Sequence, residues 1–223
     1  MIAWSLVFPM TWLSGVWGHW ATILESLLGT AMNKPRMWTS TEVFTKYTGH
    51  TAVVMTHNLP SALWASLVII QLSSIRKTHP RVHRMCGYLH AAVSVVLMAG
   101  VALMQGKRLF FSMHPVVMGF MNISAAWFLF SLAYAVLAAR AKLYHTHRAW
   151  MLRHIASGIW VAVQRILFSL MAIPLARMPG VGPPTDLHRR FLFGTAFVMA
   201  FVGCVLFCEI YLWQSLRKQV KVV

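Results

Sequence analysis

The stretch Met85–Gly106, MCGYLHAAVSVVLMAGVALMQG, decides the fold. It carries no Asp, Glu, Lys or Arg over 22 residues. A helix of that length, rising 1.5 Å per residue, crosses the roughly 30 Å hydrocarbon layer of a bilayer. Cations fence it on both sides, His83-Arg84 before and Lys107-Arg108 after. A charge-free run of spanning length between basic flanks reads as a transmembrane helix.

Working outward, the same signature recurs. Met1–Leu24, Tyr47–Ile75, Leu109–Ala139 and Phe191–Cys208 are uncharged, and His154–Ala176 is interrupted only by Arg165. Hydrophobic residues make up 58% of the 223 and charged residues 11%, against about 25% charged in an ordinary soluble domain. Backbone polar groups in lipid must be satisfied within each segment, so the spans are expected as helices. No stretch alternates as a membrane barrel strand does. The expected fold class is all-α: a polytopic transmembrane bundle of about six spans with a four-helix core. The spans are read at about 2–27, 51–75, 85–106, 110–139, 149–175 and 191–214, in a single integral membrane domain over 1–223. The first run lacks a basic start and holds Trp4, Trp12, Trp17 and Trp20, which reads as a retained span and not a cleaved signal. Pro60 should kink the second span, and the prolines and glycines between Pro174 and Arg190 mark a loop.

Twenty Lys and Arg face four acids, a net charge of +16. In a soluble protein that would point to nucleic acid; here the cations sit between spans, so no nucleic-acid partner is expected. Alternating spans place Arg76, Lys77, Arg81, Arg84, Arg140, Lys142, Arg148, Arg153, Arg217, Lys218 and Lys221 on one side. Lys34, Arg36, Lys46, Lys107, Arg108, Arg177, Arg189 and Arg190 fall on the other. The richer side should face the cytosol, or the matrix if the membrane is the mitochondrial inner one, and meet anionic lipid headgroups. Cys86, Cys204 and Cys208 have no zinc or CxxC spacing.

Four histidines lie a few residues inside separate spans: His57, His90, His114 and His154. An imidazole in hydrocarbon is costly unless it is hydrogen-bonded, paired or ligating. Alternation puts His57 and His114 near one face and His90 and His154 near the other. Two such pairs suit two b-type haems with bis-histidine ligation, because histidine is a standard axial ligand and bundle cores hold cofactors between facing helices. Small neighbours, Ser61, Gly87 and Gly158, would let a flat macrocycle approach. Interhelical hydrogen bonding by the same histidines, or a proton relay through them, explains the pattern as well.

The order of the four histidines resembles the cytochrome b561 type, in which two haems lie among four central helices of a six-helix bundle. Their spacings of 33, 24 and 40 residues match that order, although the 24 is short for the type. A more specific resemblance covers about half the chain, from His57 to Leu170 plus the last span. It is to the predicted multi-span membrane proteins named domain of unknown function 2306. The pattern consists of His57 opening a span, Gln71 closing it, the basic stretch Arg76–Arg84 with His83-Arg84 and then Gly87. After these come His147-Arg148-Ala149-Trp150-Met151-Leu152-Arg153 (an HRxWMxR motif), Arg165 within the following span, and a late acid at Glu209. The chain departs from the pattern at Tyr88, where the family has Arg, and at His90, where it has an aromatic. The resemblance therefore implies roles for His57, His83 and His147, and none for His90, His114 or His154.

His83-Arg84 and His147-Arg148 open two spans on the basic side, where helix N-termini add positive potential. Positive-inside anchoring explains them, and so does a site for a headgroup or other anion. Trp150 is placed as an interfacial anchor. Arg165, near the bilayer middle, costs at least about 2.5 kcal/mol unless it finds a partner; Glu209, Glu25, Gln71, Asn122 or a haem propionate are the candidates. Three function classes remain: a transmembrane b-type electron carrier, a non-catalytic accessory subunit of a membrane (for instance respiratory) complex contacting other membrane subunits, and a small transporter or proton relay. No triad, phosphate loop or zinc signature supports a hydrolase or nucleotide enzyme.

Overall fold

The computed structural model describes residues 49–110, 115–177 and 184–220. Among these every element is helical, as expected: α1 (Thr51–Leu72), α2 (Ile75–Thr78), α3 (Pro80–Gly106), α4 (Pro115–Arg140), α5 (Tyr144–Arg177) and α6 (Asp186–Val220). Five of them, all but α2, are long and apolar enough to cross a membrane. Large apolar side chains stand exposed on each, among them Ile69, Met85, Leu137, Ile166 and Phe207. Such surfaces are untenable in water and natural in lipid. The chain is an integral, multi-pass helical membrane protein. The expected first span (2–27) and the connection after it lie outside the described residues.

Several helices run further than expected, and their polar ends explain why. α3 begins at Pro80, a residue whose missing N–H and fixed φ suit the first helical turn. α6 begins at Asp186, an acid in the positive first turn. Hydropathy marks the apolar segment only, whereas the helices continue past it into polar sequence.

The helices fall into two compact units, one made of α1–α3 with residues 170–191, the other of α4, α5 to Ser169 and α6 from Leu192. In the first unit α1 and α3 pack antiparallel in a register read from three contacts. The Gln71 side-chain amide donates to the His83 carbonyl (3.0 Å) beside Gly87. Trp64 Nε1–H donates to Ser94 Oγ (3.1 Å). Furthest along, Gly100 lies against Thr56 and His57. Val53, Val54 and Met104 close the far end over Leu109 and Phe110.

Around Pro60 the regular α-helix of α1 is interrupted, and the interruption has a definite form. Residues Val54–Asn58 make a π-turn, with the Leu59 N–H reaching the Val54 carbonyl five residues back. Proline lacks the N–H that would serve the Thr56 carbonyl, and the widened turn is the usual adjustment. That carbonyl faces Gly100, where an added Cβ would stand 2.6 Å from the oxygen. Only glycine allows this approach.

The second unit is organised around the α4–α5 hairpin. α4 buries Ser124, Phe128, Ser131, Ala135 and Ala138, spaced alternately four and three residues apart, as a seam of mostly small side chains. Small residues at this spacing let two membrane helices pack closely. Both α3 and α4 end in the same motif. Leu109 N–H bonds Met104 O and Arg108 N–H bonds Gln105 O; Leu143 N–H bonds Ala138 O and Lys142 N–H bonds Ala139 O. The residue that terminates each helix, Arg108 (φ 54) or Lys142 (φ 61), is left-handed where glycine is usual.

Candidate functional site: buried histidines and the motif cluster

His154 is fully buried in the α4–α5 seam. Its Nδ1 lies 3.0 Å from the Phe128 carbonyl, and its ring lies 4.1 Å from the Phe128 ring. A carbonyl only accepts, so Nδ1 carries the proton and the ring's lone pair is on Nε2. Ser131 Oγ–H and Ser157 Oγ–H donate to the Phe128 and His154 carbonyls. Two turns earlier on α5, His147 Nδ1 donates in the same manner to the Ala135 carbonyl (2.9 Å). The two histidines are seven residues apart and so are their acceptors, which gives paired rungs across the antiparallel hairpin.

His90 is also fully buried, in the first unit. The Trp64 ring lies 5.4 Å from the imidazole, and Ser94 Oγ–H, which receives the Trp64 N–H, donates to the His90 carbonyl (2.8 Å). His57 sits in the π-turn of α1, partly buried beside Gly100. His114 lies outside the described residues. The small neighbours expected to admit a macrocycle have other work in part: Ser61 Oγ–H donates to the Asn58 carbonyl and Gly87 adjoins Gln71. The tight backbone approach occurs at Gly100, which hydropathy does not single out.

The motif residues gather in two places. Gln71, His83 and Gly87 meet where α1 joins α3, while Arg84 is exposed. In the second unit Arg153 and Glu209 form a two-pronged ion pair, Nε to Oε1 at 2.6 Å and Nη2 to Oε2 at 2.8 Å. The Arg153 guanidinium also lies 4.7 Å over Trp150. Arg148 donates to the Tyr211 hydroxyl (3.2 Å). Trp150 packs with Tyr134 (4.5 Å), Phe130 (5.5 Å) and Trp127 (6.0 Å), and Met151 beside it is partly buried.

Glu209, one candidate partner for Arg165 but by its sequence depth too near the basic side for an ideal match, does not serve it. Arg153 takes the carboxylate, because the antiparallel register of α5 and α6 sets Glu209 level with the start of α5. Arg165 is twelve residues further along, about 18 Å. Its guanidinium instead lies 5.1 Å over the Phe193 ring, beside Gln164, whose amide donates to the Phe193 carbonyl. Of the other candidates, Gln71 bonds the His83 carbonyl and Asn122 is exposed; Glu25 lies outside the described residues.

Among the described residues no group of three or more His, Cys, Asp or Glu is placed to hold a metal ion; a bis-histidine haem needs only two protein ligands. Comparison of the chain with protein-family models, with curated proteins and with solved structures gives no match.

Proposed function

We propose that this multi-pass membrane protein carries electrons through the bilayer on b-type haem held by its intramembrane histidines. The observation that carries this reading is His154. It is a fully buried imidazole inside a spanning helix, with Nδ1–H committed to the Phe128 carbonyl. Metal-binding histidines commonly use such a bond to fix the tautomer and aim Nε2 at the iron. Among the described residues His154, His90 and His57 are the ligand-bearing positions, and His114 completes the set expected from sequence. Haem would supply reversible one-electron chemistry. The chain's own part is to orient the rings, through the Phe128 carbonyl at His154, and to exclude water, through Trp64 over His90 and Phe128 over His154.

A second reading, a non-catalytic membrane subunit, is favoured by the seam itself. His147 makes the same carbonyl bond as His154, so interhelical bonding alone accounts for both. The reduced-minus-oxidised absorption spectrum of protein purified in mild detergent separates the two readings. A b-type band at stoichiometric haem supports electron transfer; haem-free, well-folded protein supports the subunit reading.

A further inference from the structure

The second unit holds eight Lys and Arg and one acidic side chain, Glu209, which is bonded to Arg153. The turn between α4 and α5 therefore carries positive charge and no acidic side chain of its own. Arg140, Lys142 and Arg148 are all exposed there, and Arg148 donates to a neutral group, the Tyr211 hydroxyl. A cationic turn of this kind attracts an anion.

Beneath this turn lies an aromatic shelf. Trp150 of α5 packs against Tyr134 and, edge-on, against Phe130 of α4, and the last two remain 44% and 51% exposed. Tyr134 and Trp150 are each six residues inside their helices, about 9 Å from the turn, and Phe130 lies about 6 Å deeper. An interfacial aromatic belt collects at one depth. This shelf instead extends about 6 Å along the helices away from the cationic turn, which fits an amphiphile with an anionic head and a long apolar body.

We propose that the α4–α5 turn binds an anionic glycerophospholipid. Arg140, Lys142 and Arg148 hold the phosphate, and the Phe130–Tyr134–Trp150 shelf takes the upper part of an acyl chain. Basic residues next to spanning helices attract anionic lipid with an energy that amounts to roughly fivefold in binding for each cation.

Native mass spectrometry of the full-length chain in mild detergent tests this, with phosphatidylglycerol, phosphatidylcholine and inorganic phosphate as probes. The wild type should retain phosphatidylglycerol over phosphatidylcholine. The Arg140→Gln/Lys142→Gln/Arg148→Gln variant should lose about a hundredfold, and Phe130→Ala/Tyr134→Ala should also weaken phosphatidylglycerol. Lys107→Gln/Arg190→Gln, cations outside the turn, should bind as the wild type does. The exposed single variant Arg140→Gln, about fivefold weaker, keeps the test available if the triple variant does not fold. Undiminished phosphatidylglycerol binding in the turn variants overturns the proposal. So does an equal loss in the Lys107/Arg190 control, or equal competition by inorganic phosphate with no effect of the shelf variant.

Discussion

At the scale of single residues, the sharpest constraint is Gly100. A methyl group there meets the Thr56 carbonyl at 2.6 Å and the His57 Cβ at 2.8 Å, and backbone cannot yield as a side-chain tip does. Gly100→Ala should destabilise the protein by about 1–3 kcal/mol, the usual cost of overpacking. Gly203→Ala, with nothing within 4 Å of its added Cβ, should be neutral or slightly stabilising. Equilibrium unfolding in mixed micelles compares them, and equal effects would show that the close approach does not exist in solution. Arg153 and Glu209 make a second residue-scale case. Removing one partner leaves a charge at membrane depth, which costs more than removing both. Because the side chains are 23% and 43% exposed, the single variants Arg153→Gln and Glu209→Gln should each cost only about 1–3 kcal/mol. The double variant should cost less than the two singles combined. Strict additivity in that cycle would mean that the pair does not interact.

At the scale of elements, the helices were legible from hydrophobic run length, and their ends were not. Length and charge-free composition pointed to spans beginning near 51, 85, 110, 149 and 191. The polar turns that extend α3 to Pro80 and α5 to Tyr144 carry no hydropathy signal. A disturbance at Pro60 was legible because proline removes a donor, but not its form as a π-turn, nor the Gly100 of another helix that lies against it. The histidine rungs were half legible. The spacing of His147 and His154 by two helical turns was in the sequence; their acceptors are main-chain carbonyls, which leave no residue-type signature. Each rung should contribute about 0.6–1.7 kcal/mol, the range for hydrogen bonds between membrane helices, so His147→Ala should cost about that much in unfolding. The helix ends give another expectation. Arg108 occupies a left-handed position that disfavours a side chain by about 1–2 kcal/mol. Arg108→Gly trades that strain for unfolded-chain entropy and should raise stability by about 0.5–1 kcal/mol. A loss of stability would mean that the helix does not end in this motif.

At the scale of the whole molecule, the membrane class was written in composition, since 58% hydrophobic residues with 11% charged leave no alternative to lipid. If the spans alternate in direction, as the sequence leads one to expect, Lys77 and Lys142 share one face and Lys107 lies on the other. Single cysteines at these three exposed positions should react with an impermeant maleimide accordingly, Lys77→Cys and Lys142→Cys together and Lys107→Cys from the opposite side; any other grouping breaks the topology. The histidines were found from sequence because a polar ring in an apolar run is conspicuous, whereas their chemistry depends on what each ring nitrogen meets. Depth along the helices likewise decided the partner of Glu209: sequence depth already set it apart from Arg165, but the choice of Arg153 depends on the register of α5 against α6. The proposal of haem-based electron transfer rests on the histidines inside the spans, and His147 provides its internal control. It makes the same carbonyl bond as His154 but is not one of the proposed ligands. The decisive measurement is the reduced-minus-oxidised spectrum, with haem content, of wild type, His154→Ala and His147→Ala purified side by side. Haem-based electron transfer requires a b-type band in the wild type, its retention in His147→Ala, and loss of at least half the haem in His154→Ala. Folded wild-type protein without haem, or haem content unchanged in His154→Ala, would contradict it.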